Sequence, residues 1–170
     1  MKAIIYTTNT GSTAQYAKML SEKTGIPAFS AEEAKEKVEK GNEVIFLGWI
    51  MASKVKGYKA ASKKYRIAAV CAVGMESTGS RTEEIRIKTN IPKEIPLFTL
   101  QGNFNIKKLR GAYRLMMNLM VKITARQLGA KTTRTQREEE MLSLMLHGGE
   151  NVRAENLTSV LDWLKSGNHN

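Results

Sequence analysis

Apolar and polar positions along the first hundred residues alternate between two periods. Within Lys2–Tyr6 the run Ala3-Ile4-Ile5-Tyr6 reads as a buried strand. Over Thr13–Lys23, Ala14, Ala17, Met19 and Leu20 supply the apolar face of a helix that Gly25 ends. Ile26–Phe29 reads as a short second strand. Ala31–Lys40 predicts a charged helix, with Ser30 as N-cap and Gly41 as stop. Glu43–Gly48 is apolar without a break from Val44 to Leu47, the mark of a strand covered on both faces. A helix over Val55–Tyr65, a strand over Arg66–Val73, a polar glycine loop over Gly74–Ser80 and a helix over Thr82–Lys88 follow. Pro92 and Pro96 bracket an irregular link before a fifth strand, Pro96–Leu100.

Five strands alternating with helices argue for a doubly wound α/β sheet with right-handed crossovers. Ligands of such sheets bind beyond the carboxyl ends of the strands. The loops at 7–13, 48–54, 74–80 and 101–105 all follow strands and so share one edge. Beyond them the alternation stops. Ile106–Leu128 and Arg134–Leu146 read as helices, and Ala154-Glu155-Asn156 leads into a last helix, Leu157–Leu164, with a frayed tail over Ser166–Asn170. The expectation is a single domain over 1–170 with a helical insertion at about 103–150, free of repeats and low-complexity tracts.

Composition narrows the setting. A chain of 170 residues with 42% apolar residues can close one substantial core. No signal peptide is expected, and the apolar runs fall short of the ~18–20 residues of a membrane span. The single cysteine, Cys71, lies in an apolar run, where it fits a buried hydrophobe better than a reactive thiol. These features fit a cytoplasmic protein. The net charge is +11, and its distribution says more than its size: between Ile95 and Arg137 stand nine Lys/Arg and no Asp or Glu. Such asymmetry points to an acidic partner surface, whether anionic lipid, protein or nucleic acid.

The first loop carries the most specific chemistry. Thr8-Asn9-Thr10-Gly11-Ser12-Thr13 joins the first strand to the first helix. Backbone N–H groups converge in such a turn, the helix dipole favours negative charge, and hydroxyls add donors. Gly11 lets the backbone approach a ligand closely. The loop has no Lys or Arg, no Lys-Ser/Thr pair and no Gly-x-Gly-x-x-Gly. It predicts a phosphate held by neutral donors without Mg²⁺; the alternative is an ordinary helix start capped by Ser12 or Thr10. Elsewhere, His147 and His169 lack companions for a metal or a proton relay, and no Gly-x-Ser-x-Gly elbow occurs.

Thr8-x-Thr10-Gly11-x-Thr13, directly after the first strand of a 2-1-3-4-5 style alternation, resembles the flavodoxin family over roughly residues 1–102 and the final helix. The resemblance implies flavin mononucleotide (FMN), with its phosphate in this loop. It places Trp49, Ile50, Met51 and Ala52 beside the flavin ring; the alternative for Trp49 is burial under the following helix. It also implies that Val73, Gly74, Met75 and Glu76 offer polar groups to the pyrimidine edge, Glu76 being equally readable as a plain surface carboxylate. Ser77-Thr78-Gly79-Ser80 either joins that loop or caps the next helix. Gly102-Asn103-Phe104-Asn105-Ile106-Lys107-Lys108-Leu109, Tyr113-Arg114-Leu115-Met116 and the closing Val152-x-x-Glu155-Asn156-Leu157…Trp163-Leu164 are similar to flavodoxin-like proteins related to menaquinone-dependent protoporphyrinogen oxidase. The second loop departs from their Gly-x-Pro-Ile-x-x-Gly pattern: it reads Gly48-Trp49-Ile50-Met51-Ala52-Ser53-Lys54. That departure bears on the porphyrinogen substrate and leaves the flavin site intact.

Within the insertion, Arg110, Arg114, Asn118, Lys122 and Arg126 recur at i, i+4 as one polar stripe. Leu109, Tyr113, Met116, Leu119, Met120 and Ile123 fall mainly on other faces. This pattern is either an interfacial or docking helix, peripheral at the inner face of a membrane or against an acidic redox partner, or a solvated basic face with its Met/Leu side packed on the sheet. The leading functional expectation is an FMN protein passing electrons between the flavin and a partner protein, or a small tetrapyrrole or quinone approaching through Phe104 and the insertion. It would be either an electron-transfer flavoprotein or an FMN-dependent oxidoreductase. The alternative is a non-enzymatic module that docks an anionic membrane, acidic protein or nucleic acid through the insertion. Scattered aromatics weigh against nucleic acid, and the Met-rich faces also suit pairing with a second copy.

Overall fold

In this computed structural model, which describes residues 1–104 and 111–167, the apolar runs become one sheet. Its strands are β1 (Ala3–Tyr6), β2 (Ala28–Ser30), β3 (Glu43–Met51), β4 (Lys54–Val55), β5 (Arg66–Gly74) and β6 (Leu97–Gln101). Five of them run parallel in the order β2-β1-β3-β5-β6, and β4 pairs antiparallel with the end of β3. This is the doubly wound order that the sequence predicts.

The two-residue period sorts the strand side chains onto two faces. Ala3, Ile5, Val44, Phe46, Val70 and Ala72 share one core with residues of α2 (Ala34–Lys37), α3 (Tyr58–Ala61) and α4 (Thr82–Thr89). Ile4, Ile45, Leu47, Ala69, Cys71 and Val73 share the other with α1 (Ser12–Thr24) and α7 (Thr158–Lys165), which a 3-10 turn, Ala154–Leu157, introduces. Ile4, Ile45, Phe46 and Leu47 are fully buried, each worth about 1.5–3 kcal/mol relative to exposure. A bulge at Ala68 shifts the register, since Val44 pairs with Ile67 and Ile45 with Ala69. It lets Ile67 and Val70 enter the same core although they are three residues apart.

The second strand starts at Ala28 rather than Ile26, and three further elements change more. The helix expected over Ala31–Lys40 shrinks to α2, because Val38 turns extended (φ −126°) and inserts into the core. Ser30 still closes the turn before it: its Oγ accepts from the Glu33 N–H at 3.2 Å, and Glu33 Oε2 accepts from the Ser30 N–H at 2.9 Å. The helix expected over Val55–Tyr65 is reduced to α3, since Val55 belongs to β4 and Gly57 turns the chain at φ 86°. The stretch expected as a loop at 48–54 is mostly strand, with a two-residue turn at Ala52-Ser53.

By contact the chain divides into two compact units, Met1–Gly102 with Val152–Asn170, and Asn103–Asn151. The sheet and both of its cores belong to the first. The second holds α5 (Gly111–Gly129) and α6 (Gln136–His147), which pack on each other. Thr135 and Glu138 form a capping box at the start of α6, and Lys131 pairs with Glu138. The ends of this unit meet, with Phe104 and Gly149 exchanging backbone hydrogen bonds at 2.9 and 3.0 Å. The Asn151 N–H donates to Asn103 Oδ1 at 2.6 Å. Among the described residues no helix is long and apolar enough to cross a membrane.

Candidate functional site

The loop after β1 is folded by its own hydroxyl: Thr8 Oγ1 accepts from the Gly11 N–H at 3.1 Å. Gly11 then caps α1 in the left-handed region, at φ 100° and ψ −17°, and no side chain caps the helix. The alternative of Ser12 or Thr10 as N-cap is thereby overturned. A residue with a β-carbon is strained at that φ, which accounts for glycine. Thr8 and Asn9 are exposed and Thr10 and Gly11 half-buried, whereas Ser12 and Thr13 are buried. The first turn of α1 holds no acid, so nothing there opposes an anion. Thr13 is 1% exposed, and no partner for its hydroxyl is found among the described residues. A buried hydroxyl without a partner costs free energy until an acceptor arrives. The loop therefore fits a phosphate held by neutral donors.

The other strand ends close on the same edge of the sheet. Thr7 Oγ1 donates to the Lys56 carbonyl at 2.7 Å, and a Cβ at Gly57 would lie 2.6 Å from Thr7 Cγ2. A Cβ at Gly102 would meet Val73 Cγ1 at 2.9 Å and Ser12 Cβ at 3.2 Å. The Gly102 N–H donates to the Gly74 carbonyl at 2.6 Å. The ends of β5 and β6 thus touch at the start of α1.

Trp49 is half-buried and pairs in register with Val73. By alternation it shares the face of Ile45 and Leu47, while α3 covers the opposite face. It is therefore not buried under the following helix. Ile50 lies on the other face, and its Cδ1 would be 2.9 Å from a Cβ at Gly74. It is half-buried and packs against Gly74, on the face opposite to Trp49. Met51 is half-buried opposite Lys54, and Ala52 is exposed. Val73 is buried, with Gly74, Met75 and Glu76 half-buried after it. The 77–80 run does not cap α4, whose N-cap is Arg81 with no side-chain cap. It ties the loop to β6 instead: Thr78 Oγ1 accepts from the Gln101 N–H at 3.1 Å, and the Gly79 N–H donates to the Thr99 carbonyl at 3.0 Å.

One residue that the sequence reading missed joins the second and third loops. The Arg81 guanidinium donates to Ser53 Oγ at 2.9 Å, to Glu76 Oε1 at 2.7 Å and to Glu84, and Ser53 Oγ donates to Glu84 Oε1 at 2.7 Å. Arg81 hydrogen bonds, with Ser53 adding a smaller share, hold the Glu84 carboxyl down to about 2. Ala52, Ser53 and Arg81 all have positive φ, at 49°, 60° and 53°. Ser53 and Arg81 in this network, with Ala52 beside it, mark strain that the surrounding contacts hold in place. Arg81-x-x-Glu84 was readable as a helix-start pair; its reach to Ser53 was not.

Of the residues expected at a partner surface, Arg114, Lys122 and Arg126 are exposed on α5, and Arg110 lies outside the described residues. Phe104 departs from its expected place on an open approach. It is 5% exposed, and its backbone is committed to Gly149. Cys71 is fully buried, and desolvation pushes its thiol up to about 12, so it is an inert core residue. Among the described residues no group of His, Cys, Asp and Glu could hold a metal ion.

No curated protein and no solved structure gives a significant match. The family model described as the flavodoxin domain matches residues 3–129. That match takes in every parallel strand and the hydroxyl loop, and with it the chain belongs to the flavodoxin domain family.

Proposed function

We propose that this protein binds FMN at the edge formed by its strand-end loops and works there as a redox protein. The observation that carries the reading is the 8–13 loop: uncharged, rich in hydroxyls, turned by Gly11 in the left-handed region, and backed by the buried Thr13. Thr8, Asn9, Thr10, Gly11, Ser12 and Thr13 would hold the phosphate through hydroxyls and backbone amides. Trp49, with Met51 and Ala52 on the β3–β4 turn, would flank the ring. Gly74, Met75 and Glu76 would meet its polar edge, with Val73 and Ile50 supporting them. FMN supplies the electron chemistry, and the chain's residues hold and orient it and shield part of it from water.

The electrons would pass to a partner protein, or to a small quinone or tetrapyrrole of the kind used by the protoporphyrinogen oxidase-related proteins that the 102–116 segment resembles. Basic side chains of the insertion suit the carboxylates of a tetrapyrrole. The direct test is the visible spectrum. The purified protein is expected to be yellow and to release FMN on denaturation; a colourless protein that takes up no added FMN would overturn the reading. Replacing Thr10→Val together with Thr13→Val keeps the side-chain shape and removes two hydroxyls. FMN affinity should fall on the order of tenfold to a hundredfold, with riboflavin affinity little changed. Equal losses for both ligands would move the phosphate out of this loop.

A further inference from the structure

Helix α5 carries two apolar faces, and one of them is uncovered. Met117 and Val121 are half-buried and Leu128 is buried, on a helix whose packing partner is α6. Leu115, Met116, Leu119, Met120 and Ile123 follow i, i+1, i+4, i+5, i+8 and form a separate arc. Their exposure runs from 42% to 75%. Lys122 and Arg126 are exposed along one flank of the same arc, and α5 contains no Asp or Glu.

We propose that this face of α5 lies flat on an anionic lipid surface, its apolar arc entering the interface and its cations meeting the headgroups. Charge and apolarity together select this occupant. A polyanion such as nucleic acid would satisfy the cations and leave five large apolar side chains in water. A second copy would cover the arc but bring Lys122 and Arg126 of both helices to one rim. A bilayer interface offers apolar depth and negative charge side by side. On α6, Glu138 is paired with Lys131, and Glu139 and Glu140 are exposed with Ser143 on the side away from the buried Met145. At 19 residues, α5 is about 28 Å long, and no span is available to it, so it rests on the surface.

The test is flotation of the full-length protein with vesicles of phosphatidylcholine alone and with added phosphatidylserine, at low and high salt. The expected result is binding to the phosphatidylserine vesicles that weakens with salt. Leu119→Gln with Ile123→Gln, and separately Lys122→Gln with Arg126→Gln, should each weaken it on the order of tenfold or more. All four side chains are exposed, so circular dichroism and flavin content should stay unchanged in both variants. Three outcomes overturn the proposal: no binding to phosphatidylserine vesicles, binding that survives both double variants, or equal binding to phosphatidylcholine alone. Sedimentation gives a fourth, a dimer that Leu119→Gln with Ile123→Gln dissolves, which would assign the face to a second copy.

Discussion

Gly102 shows how closely the strand ends are fitted. Its own φ is unremarkable, so its value lies in having no side chain where Val73, Ser12 and the Gly74 carbonyl converge within 3.3 Å of the missing Cβ. Gly102→Ala should therefore destabilise by overpacking, by roughly 1–3 kcal/mol, seen as a lower thermal midpoint. If FMN binds as proposed, its affinity should fall too, because the disturbed residue is Ser12 at the start of α1. An unchanged midpoint would mean that this edge can relax. Gly11 is the opposite case: nothing lies within 4 Å of its Cβ position, and its φ of 100° is what requires glycine. Both glycines are visible in the sequence. Gly11 could be read there because a hydroxyl-rich turn before a helix is a local pattern, whereas the crowding at Gly102 involves β5 and α1.

At the scale of elements, the β3–β4 hairpin and the start of α4 behave as one part. The turn Ala52-Ser53 has positive φ at both residues, the pattern of a tight two-residue hairpin that usually takes Asn and Gly. Ser53 is held by Arg81 and Glu84 from a segment 28 to 31 residues further along. The pH dependence follows from Glu84, whose carboxyl sits at about 2, below its ordinary 4.5. A carboxylate with a depressed value contributes stability above pH 4.5 and loses it as pH falls toward 2. Comparing denaturant unfolding of the protein with that of Glu84→Gln, the gap at pH 6 should narrow steadily between pH 4.5 and 2. A gap of constant size across that window would remove Glu84 from the account. Leu47 and Gly48 could be read as a strand end, but the residues after them not as a hairpin, since a turn with Ala and Ser carries no glycine signal.

For the whole molecule, the first unit contains both cores of the sheet, and the second closes on itself through Phe104 and Gly149. Replacing residues 103–151 with a flexible glycine-serine linker should leave a cooperatively folding α/β unit that retains the proposed FMN site and no longer floats with anionic vesicles. Circular dichroism, flavin absorbance and flotation read the three parts separately. Loss of cooperative unfolding would show that the sheet depends on the insertion. Charge follows the same division: the nine Lys/Arg without an acid between Ile95 and Arg137 fall in the second unit, which the sequence marks as a basic insertion.

By itself the sequence determined the alternation of strands and helices, the carboxyl edge where loops gather and the uncharged, hydroxyl-rich loop after β1. Each rests on a local pattern: apolar runs of strand length, helical spacing between them, and a glycine among hydroxyls. Tertiary structure alone decided that β3 continues beyond Gly48, that Ile50 supports Gly74, that Arg81 ties two loops together and that Phe104 is buried. It also decided which apolar face of α5 is left open. Periodicity shows that a helix has faces, but which one is covered depends on a partner distant in the chain.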